Sequence, residues 1–490
     1  MRESGILMHI SSLPGPYGIG TMGKNAFEFV DFLEKSGQRV WQILPLSPTG
    51  YGDSPYQSCS AFAGNHYLID LETLIDSGLL EKQEAESFFW GNNEEKVDFG
   101  ALYENRSRVL RLAFSRFVPN EKYNKFVSEN EKWLSEYALF TAIKDSLGGK
   151  PWTEWPKELR LREGKALAEK REELSEDIAF RYFLQFEFFS QWEKLRGYAN
   201  EKGIKVVGDI PIYVPLDSAD VWAEPGEFLL DENLSPKCVA GCPPDSFSAD
   251  GQLWGNPIYD WEKMKKSGFA WWIKRLGAAK HMYDIVRFDH FRGFESYWSI
   301  PAGDKTAMNG HWEKGPGMDF INAIKSALPE IDFIAEDLGF VTPEVRKLQE
   351  DSGYPGMKVM QFAFDSREEG NYLPHTYPEN SVVYSGTHDN PTLVQWLSEV
   401  AESDLSEGKA YLGLSEEEGL AKGLIRGCMA SISRLCVISM QDYLELGKEA
   451  RMNLPGTLSD ANWTWRAKQG FLTEELSGYI LEITKRFGRI

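Results

Sequence analysis

The sequence is short of cysteine and lacks any long apolar run. Its five cysteines are few and odd in number, whereas a disulfide framework is denser and even, so we expect reduced thiols and a cytoplasmic protein. No window approaches the roughly 20 apolar residues that a membrane-spanning helix needs. The amino-terminal residues, MRESGILMHISSLPG, show no signal peptide. A membrane-spanning protein and a disulfide-rich secreted protein are therefore not expected.

Positive charge is also scarce. The 53 Lys and Arg residues are outnumbered by 74 Asp and Glu residues, which gives a formal net charge of −21 at pH 7. Such a chain repels phosphate groups, so neither nucleic acid nor an anionic membrane is an expected partner. No metal site is expected, because Cys238 and Cys242 have no second pair and no nearby His, whereas tetrahedral zinc takes four ligands. Since 42% of the residues are hydrophobic, a large core is expected and global disorder is excluded.

The chain does contain a series of short apolar runs rich in β-branched residues, a pattern typical of strands buried on both faces of a parallel sheet. The runs are Leu7–Leu13, Val40–Leu46, Lys205–Val214, Asp284–Phe291, Asp332–Gly339, Met357–Phe362, Ser381–Asp389 and, more weakly, Arg434–Met440. Helical patterns such as 25–35 and 261–280 lie between most of them. Eight strand–helix units predict an α/β fold with a closed (β/α)8 TIM barrel, in which residues 1–490 form a single catalytic domain.

Two stretches interrupt this alternation. Residues 71–202 carry amphipathic helix patterns rich in Glu, Lys, Leu and Phe, and they are too long for one crossover. We therefore predict a helical subdomain inserted between strands 2 and 3. Residues 215–257 are rich in Pro, Gly and Asp and contain Trp222 and Trp254. A loop of that length is usually functional, so we predict an inserted loop region over the active site.

Acidic residues stand at the ends of several predicted strands. They are Asp209 in GDIPIY, Asp289 in RFDHFRG, Glu336 in AEDLG and Asp389 in THDN. In a parallel barrel, carboxylates at the carboxyl ends of the strands point into the shared mouth where the chemistry takes place. Arg287 lies two residues before Asp289 and so on the same side of the strand, where its charge can hold Asp289 ionised. An ionised carboxylate beside a protonated one is the equipment for cleaving a glycosidic bond.

Two other interpretations of these carboxylates are open at this point. A single Asp at a strand end often caps the following helix or lies in water. Three carboxylates on neighbouring strands also bind Mg²⁺ in enzymes that use a Lys base. Against the metal, no lysine precedes these motifs at strand spacing, and Arg287 would compete with the cation.

Aromatic residues in polar loops favour a sugar substrate. Tyr51 and Tyr56 lie in YGDSPYQS, and Trp254 lies in GQLWGNP. Flat rings beside Asp and Asn suit pyranoses, which have apolar C–H faces and hydroxyl rims.

Eight segments together resemble the 4-α-glucanotransferases called amylomaltase or disproportionating enzyme, in the α-amylase clan. They run in order from about residue 8 to about residue 463: MHISSLPGPYGIG, YGDSPYQSCSAFAGN, GDIPIYV, PPDSFSADGQLWGNPIYDW, VRFDHFRG, AEDLG, GTHDN and ARMNLPGT. The resemblance implies a (β/α)8 barrel with helical insertions and no C-terminal β-sandwich. It also implies transfer of an α-1,4-glucan segment to the 4-hydroxyl of a glucan or glucose through a covalent glycosyl-enzyme, without a cofactor. The nearest alternative is an α-1,4-glucan hydrolase, and an inert glucan-binding protein is a further one.

The resemblance also assigns roles to residues. It implies Asp289 as the nucleophile, Glu336 as the general acid/base and Asp389 as the carboxylate that stabilises the distorted sugar. The substrate-binding residues that it implies are Tyr51, Ser54, Tyr56, Asp209, Asp245, Trp254, Arg287, His388 and Asn453. Among these, Tyr56 would stack in the donor subsite, and Asp245 and Trp254 would belong to a loop closing over the acceptor side. The His that follows the first conserved Asp in many amylases is absent after Asp209, which favours the transferase branch.

Overall fold

A computed structural model describes residues 2–50, 52–244, 248–367 and 372–490, so the predicted site residues Tyr51 and Asp245 lie outside the described residues. The strands are β1 (Glu3–Leu7), β2 (Val40–Gln42), β3 (Lys205–Ile210), β4 (Cys238–Cys242), β5 (Gln252–Pro257), β6 (Ile285–Phe288), β7 (Ser296–Pro301), β8 (His311–Lys314), β9 (Asp332–Ala335), β10 (Gly356–Val359), β11 (Ser381–Tyr384) and β12 (Leu435–Ser439). The helices are α1 (Lys24–Lys35), α2 (Leu71–Asp76), α3 (Lys82–Glu86), α4 (Phe99–Arg116), α5 (Glu121–Ser146), α6 (Lys157–Arg160), α7 (Gly164–Glu173), α8 (Ser175–Glu201), α9 (Ala219–Ala223), α10 (Trp261–Lys266), α11 (Ala270–Met282), α12 (Gly317–Ala327), α13 (Pro343–Ser352), α14 (Leu393–Glu399), α15 (Glu402–Leu412), α16 (Leu420–Ala430), α17 (Met440–Tyr443) and α18 (Glu474–Arg486).

Eight parallel strands close into a barrel in the order β1-β2-β3-β6-β9-β10-β11-β12, which confirms the predicted TIM barrel. Consecutive barrel strands along the chain are neighbours in space, as strand–helix–strand units require. The strands are buried almost throughout; every residue of β11 and β12 is buried, for example. This burial on both faces explains why the strands read as continuous apolar runs.

The predicted strand boundaries extend too far toward the carboxyl end, and the first prediction is wrong. The first strand is Glu3–Leu7 instead of Leu7–Leu13, and Ile10–Ser12 forms a short 3₁₀ turn. Ile10 and Leu13 are fully buried although they lie beyond the strand. The apolar run therefore continues into the loop above the barrel, where it marks burial and not strand pairing.

The predicted helix 261–280 is interrupted. It is divided into α10 and α11 by Gly268 and Phe269, whose φ angles of 66° and 59° are left-handed. A glycine adopts this conformation without strain, so the sequence GF ends one helix and allows the next to begin in a new direction.

Seven helices, α2 to α8, lie between β2 and β3, within the predicted insertion 71–202. The longest of them, α5 and α8, have 26 and 27 residues and pack against each other. Helix α8 is fastened to the barrel by Trp192, whose indole N–H donates to Met282 O at 3.0 Å, and by the Arg196–Asp284 ion pair at 2.6 Å.

The stretch 215–257, predicted as a loop, contains two strands of a second sheet. This four-stranded sheet has the order β5-β4-β7-β8, and its strands pair antiparallel. Its other two strands, β7 and β8, follow β6 in the chain, so the sheet combines the segments after two barrel strands. Past β12, the described residues form helices and no further β-strand. In the described ranges, no helix has both the length and the apolar character to cross a membrane.

Candidate active site

Four carboxylates lie at the carboxyl-terminal end of the barrel, as the sequence predicts. Asp209 is the penultimate residue of β3, and Asp289 and Glu336 directly follow β6 and β9. Backbone hydrogen bonds continue past the strands, from Asp289 N to Ile210 O at 3.1 Å and from Glu336 N to Phe288 O at 3.1 Å. These bonds fix the two carboxylate-bearing segments side by side at the barrel mouth.

The carboxylate of Glu336 is held by the segment that carries Asp289. His290 N donates to Glu336 Oε2 at 2.7 Å, and Leu338 N donates to Oε1 at 2.9 Å. His290 has a φ of 54°, a left-handed conformation that costs energy for a residue with a side chain. Because His290 is the next residue after Asp289, these contacts hold the Glu336 carboxylate against the backbone segment that carries Asp289.

Arg287 and Tyr56 surround Asp209 beneath the cleft. Arg287 Nη1 donates to Asp209 Oδ2 at 2.6 Å and to Asp289 Oδ1 at 3.1 Å, and the Tyr56 hydroxyl donates to Asp209 Oδ2 at 2.8 Å. Asp209 is only 2% exposed. Its role in substrate binding stays a prediction. Its contacts make it a positioning residue for Arg287 and Tyr56.

Burial dominates the protonation of the two central carboxyls. Burial raises the pKa of Asp289, as do the charges of Asp209, Glu336 and Asp389, while Arg287 lowers it. Burial also raises the pKa of Glu336, and Arg287 and the backbone N–H groups of Leu338 and His290 lower it. Arg287 thus acts on Asp289 in the predicted direction, but burial acts in the opposite direction and is the larger effect. Burial therefore disfavours the charged form of both carboxyls.

Asp389 is tied to the segment after β12. Asn453 Nδ2 donates to Asp389 Oδ1 at 2.6 Å, and Asn453 N donates to His388 O at 3.1 Å. Arg451 spans both segments, since its Nη2 donates to Asp389 O at 2.7 Å and its Nε donates to Asn453 O at 2.8 Å. Arg451 was not predicted as a site residue, although it lies in the ARMNLPGT segment that carries the resemblance.

Three rings form a wall beside Asp389. Tyr56 and His388 stack with centroids 5.0 Å apart and an interplanar angle of 16°, and Trp463 contacts both rings at 5.8 and 5.9 Å. Burial lowers the pKa of His388, so the imidazole is neutral at neutral pH. Ser54 contacts the backbone of one of these residues, since its hydroxyl accepts a hydrogen bond from the Tyr56 N–H at 3.3 Å. Trp463 was missed, since a single Trp in a loop after β12 has no pattern that distinguishes it.

Trp254 reaches the cleft from the second sheet. It lies on β5, and its ring meets His290 edge-to-face at 4.9 Å. The predicted loop residue is therefore held on a strand, and it contacts the residue next to Asp289. In the described part of the chain, no group of three or more His, Cys, Asp or Glu side chains is arranged to hold a metal ion.

Known proteins match this chain over nearly its whole length, including the segments that form the site. The family model described as 4-alpha-glucanotransferase matches residues 8–473. A 4-alpha-glucanotransferase of Clostridium butyricum is 50% identical over 487 residues, which cover 98% of this chain and 100% of that protein. One from Thermus thermophilus is 47% identical over 487 residues, covering 97% and 96%. The solved amylomaltase of Streptococcus agalactiae in complex with acarbose has a TM-score of 0.97 at 42% identity, with 100% of both chains covered.

Proposed function

The chain belongs to the 4-alpha-glucanotransferase family, and we propose that it transfers α-1,4-glucan segments through a covalent glycosyl-enzyme on Asp289. The observation that carries this mechanism is the junction of Asp289 and Glu336, in which the backbone N–H next to the nucleophile holds the acid/base carboxyl. Acarbose, which binds the Streptococcus agalactiae amylomaltase, and maltooligosaccharides are the expected ligands.

In the first half-reaction, Asp289 attacks the anomeric carbon of the donor glucan. Glu336 delivers its proton to the leaving glycosidic oxygen, which departs with the reducing-end part of the chain. Arg287 stabilises the charge on Asp289 before attack, at the 3.1 Å contact. Burial raises the pKa of Glu336 and so favours the protonated form that this step needs.

In the second half-reaction, Glu336 is ionised and accepts the proton of the acceptor's 4-hydroxyl. The acceptor oxygen then displaces Asp289, so two inversions give net retention at the anomeric carbon. Such a mechanism needs the two carboxyl groups about 5 to 5.5 Å apart. Asp389, held by Asn453 at 2.6 Å, stabilises the distorted sugar with its charge.

Transfer requires that an acceptor sugar reaches the intermediate before water does. Trp254 beside His290 supplies an apolar face on the Glu336 side of the cleft, and ordered aromatic surfaces of this kind favour a sugar over water. A neutral glucan also suits a chain of net charge −21, which disfavours nucleic acid. The low and odd number of cysteines, five in 490 residues, supports a cytoplasmic location.

Incubation with maltotriose tests transfer against hydrolysis. We expect a ladder of longer glucans together with glucose, while total reducing ends stay nearly constant, because each transfer conserves the number of reducing ends. The products are separated by chromatography and the reducing ends are measured in parallel. A steady rise in reducing ends without longer products would identify a hydrolase, and no product at all would contradict the family's activity in this chain.

Arg451 is expected to act as a positioning residue for Asp389. Arg451→Met removes both of its bonds to main-chain carbonyls, so Asp389 and Asn453 are held less precisely, and we expect kcat to fall about 10- to 100-fold with little change in KM. Arg451→Lys retains one donor and is expected to recover part of kcat. Arg434→Met, at an exposed position, is the matched control. Because Arg451 touches neither Asp289 nor Glu336, the pH profile should keep its shape; a loss explained by a smaller folded fraction alone would contradict the positioning role.

A further inference from the structure

An aromatic group outside the catalytic cluster, which we call the platform, consists of Trp312, Phe340 and Arg292. The guanidinium of Arg292 lies 3.8 Å from the ring centroid of Trp312 and 5.8 Å from that of Phe340. Arg292 is 5% exposed, whereas Trp312 is 37% and Phe340 64% exposed. A buried cation thus lies near two rings that both reach solvent.

Trp312 and Arg292 of the platform are held by several contacts, and Phe340 is held through its main chain. Trp312 lies on β8 opposite Trp298 on β7, and the two indoles meet edge-to-face at 5.1 Å. Trp298 is fixed by its N–H, which donates to Ala307 O at 2.9 Å. Arg292 donates to Phe340 O and, at 3.0 Å, to Ser296 Oγ. Rings that are ordered before binding lose little conformational entropy when a ligand stacks on them.

Two residues of the platform lie close in the chain to the two central carboxylates. Arg292 is the third residue after Asp289, and Phe340 is the fourth residue after Glu336. Four residues span at most about 14 Å, so the platform lies near the barrel mouth. Trp312 and Trp254 lie on the two edge strands, β8 and β5, of the same four-stranded sheet.

The platform also lies on one particular side of the cleft. Asp289 and Glu336 follow β6 and β9, which are neighbours in the barrel. The ring wall and Asp389 come from loops after β2, β11 and β12, on the other half of the barrel. The platform therefore belongs to the acid/base side, where the leaving chain departs and the acceptor enters.

We propose that the platform is an acceptor-side subsite that binds an α-1,4-glucan several sugar units away from the bond that is made or broken. This inference rests on the proposed role of Glu336 as the acid/base. The apolar C–H face of a pyranose stacks on the exposed ring of Phe340 or Trp312, as sugars do on aromatic side chains at carbohydrate sites. Short acceptors do not reach the platform, and long acceptors do.

The test measures how KM depends on acceptor length. Amylose serves as the donor, with radiolabelled glucose or radiolabelled maltohexaose as the acceptor. Phe340→Ala is expected to raise KM for maltohexaose about 3- to 10-fold, the loss of one stacked ring, while kcat and KM for glucose stay unchanged. Phe340→Tyr keeps the ring and should restore the wild-type KM. Phe89→Ala, a truncation of a 52% exposed ring in the insertion between β2 and β3, is the matched control.

The outcomes are distinct. An equal rise in KM for glucose and maltohexaose, or no rise for either, overturns the platform as a subsite. An unchanged KM combined with an altered elution volume on gel filtration assigns the surface to contact with a second copy of the chain, which also overturns it. If the wild-type enzyme does not elongate any acceptor, the proposed function fails before the platform is tested. Because Phe340 is exposed and binds Arg292 through its main-chain carbonyl, its truncation leaves the fold intact.

Discussion

Replacing Asp289 with Asn is expected to abolish both glucan transfer and hydrolysis, with a fall in kcat of about 10⁴-fold or more. An amide of nearly the same shape can still accept from Arg287, but it is not a nucleophile and forms no glycosyl-enzyme. Both reactions pass through that intermediate, so both are lost together. The measurement is the release of glucose from maltotriose and the formation of longer glucans, followed with the same preparation.

The control for this variant is Asp332→Asn, which changes an exposed Asp at the amino end of β9, at the opposite end of the barrel. It should leave the activity unchanged. Thermal unfolding should show no loss of stability in Asp289→Asn, because burial raises the pKa of this carboxyl and so disfavours its charged form in the folded protein. Activity of Asp289→Asn near that of the wild type would remove the proposed nucleophile.

The barrel could be predicted because each of its strands is buried on both faces and therefore leaves a continuous apolar run in the sequence. The location of the candidate site at the carboxyl ends of the strands could be predicted because chemistry in a barrel concentrates there. The spacing of Arg287 and Asp289 placed both side chains on one face, and the structure joins them at 3.1 Å. These inferences succeed because they depend on local periodicity and on one general property of parallel barrels.

Other parts of the site depend on contacts between distant segments, and no local pattern reveals them. Arg451 bonds to Asp389 across 62 residues, and Trp463 packs on Tyr56, which lies in the loop after β2. The second sheet pairs β4 with β7 although barrel strand β6 lies between them in the chain. The burial of Asp209 and the balance of charges around Asp289 are likewise properties of the assembled site.

Replacing Glu336 with Ala is expected to lower kcat on maltotriose about 10³- to 10⁴-fold, because the leaving oxygen loses its proton donor and the acceptor loses its base. An α-maltosyl fluoride donor should lose much less in the first half-reaction, since fluoride departs without a proton. Azide needs no base, so it should attack the trapped intermediate and give an α-glycosyl azide. In the wild type, activity on maltotriose should fall as the pH rises through the pKa of Glu336, which burial raises, because only the protonated form donates. This alkaline limb should be absent in the variant with fluoride and azide.

Glu336→Gln and Glu350→Gln separate the chemical role of this carboxyl from its structural role. In Glu336→Gln, the amide nitrogen faces the backbone N–H of either His290 or Leu338, so one of the two hydrogen bonds at 2.7 and 2.9 Å is lost. Glu336→Ala loses both bonds. Even so, azide should largely restore turnover of the fluoride donor by Glu336→Ala and not by Glu336→Gln, because only the truncated side chain leaves room for the anion. Glu350→Gln, at an exposed position on α13, should behave as the wild type. An equal loss on maltotriose and on the fluoride donor would show that Glu336 is not the proton donor, and a β-glycosyl azide would contradict the double displacement on Asp289.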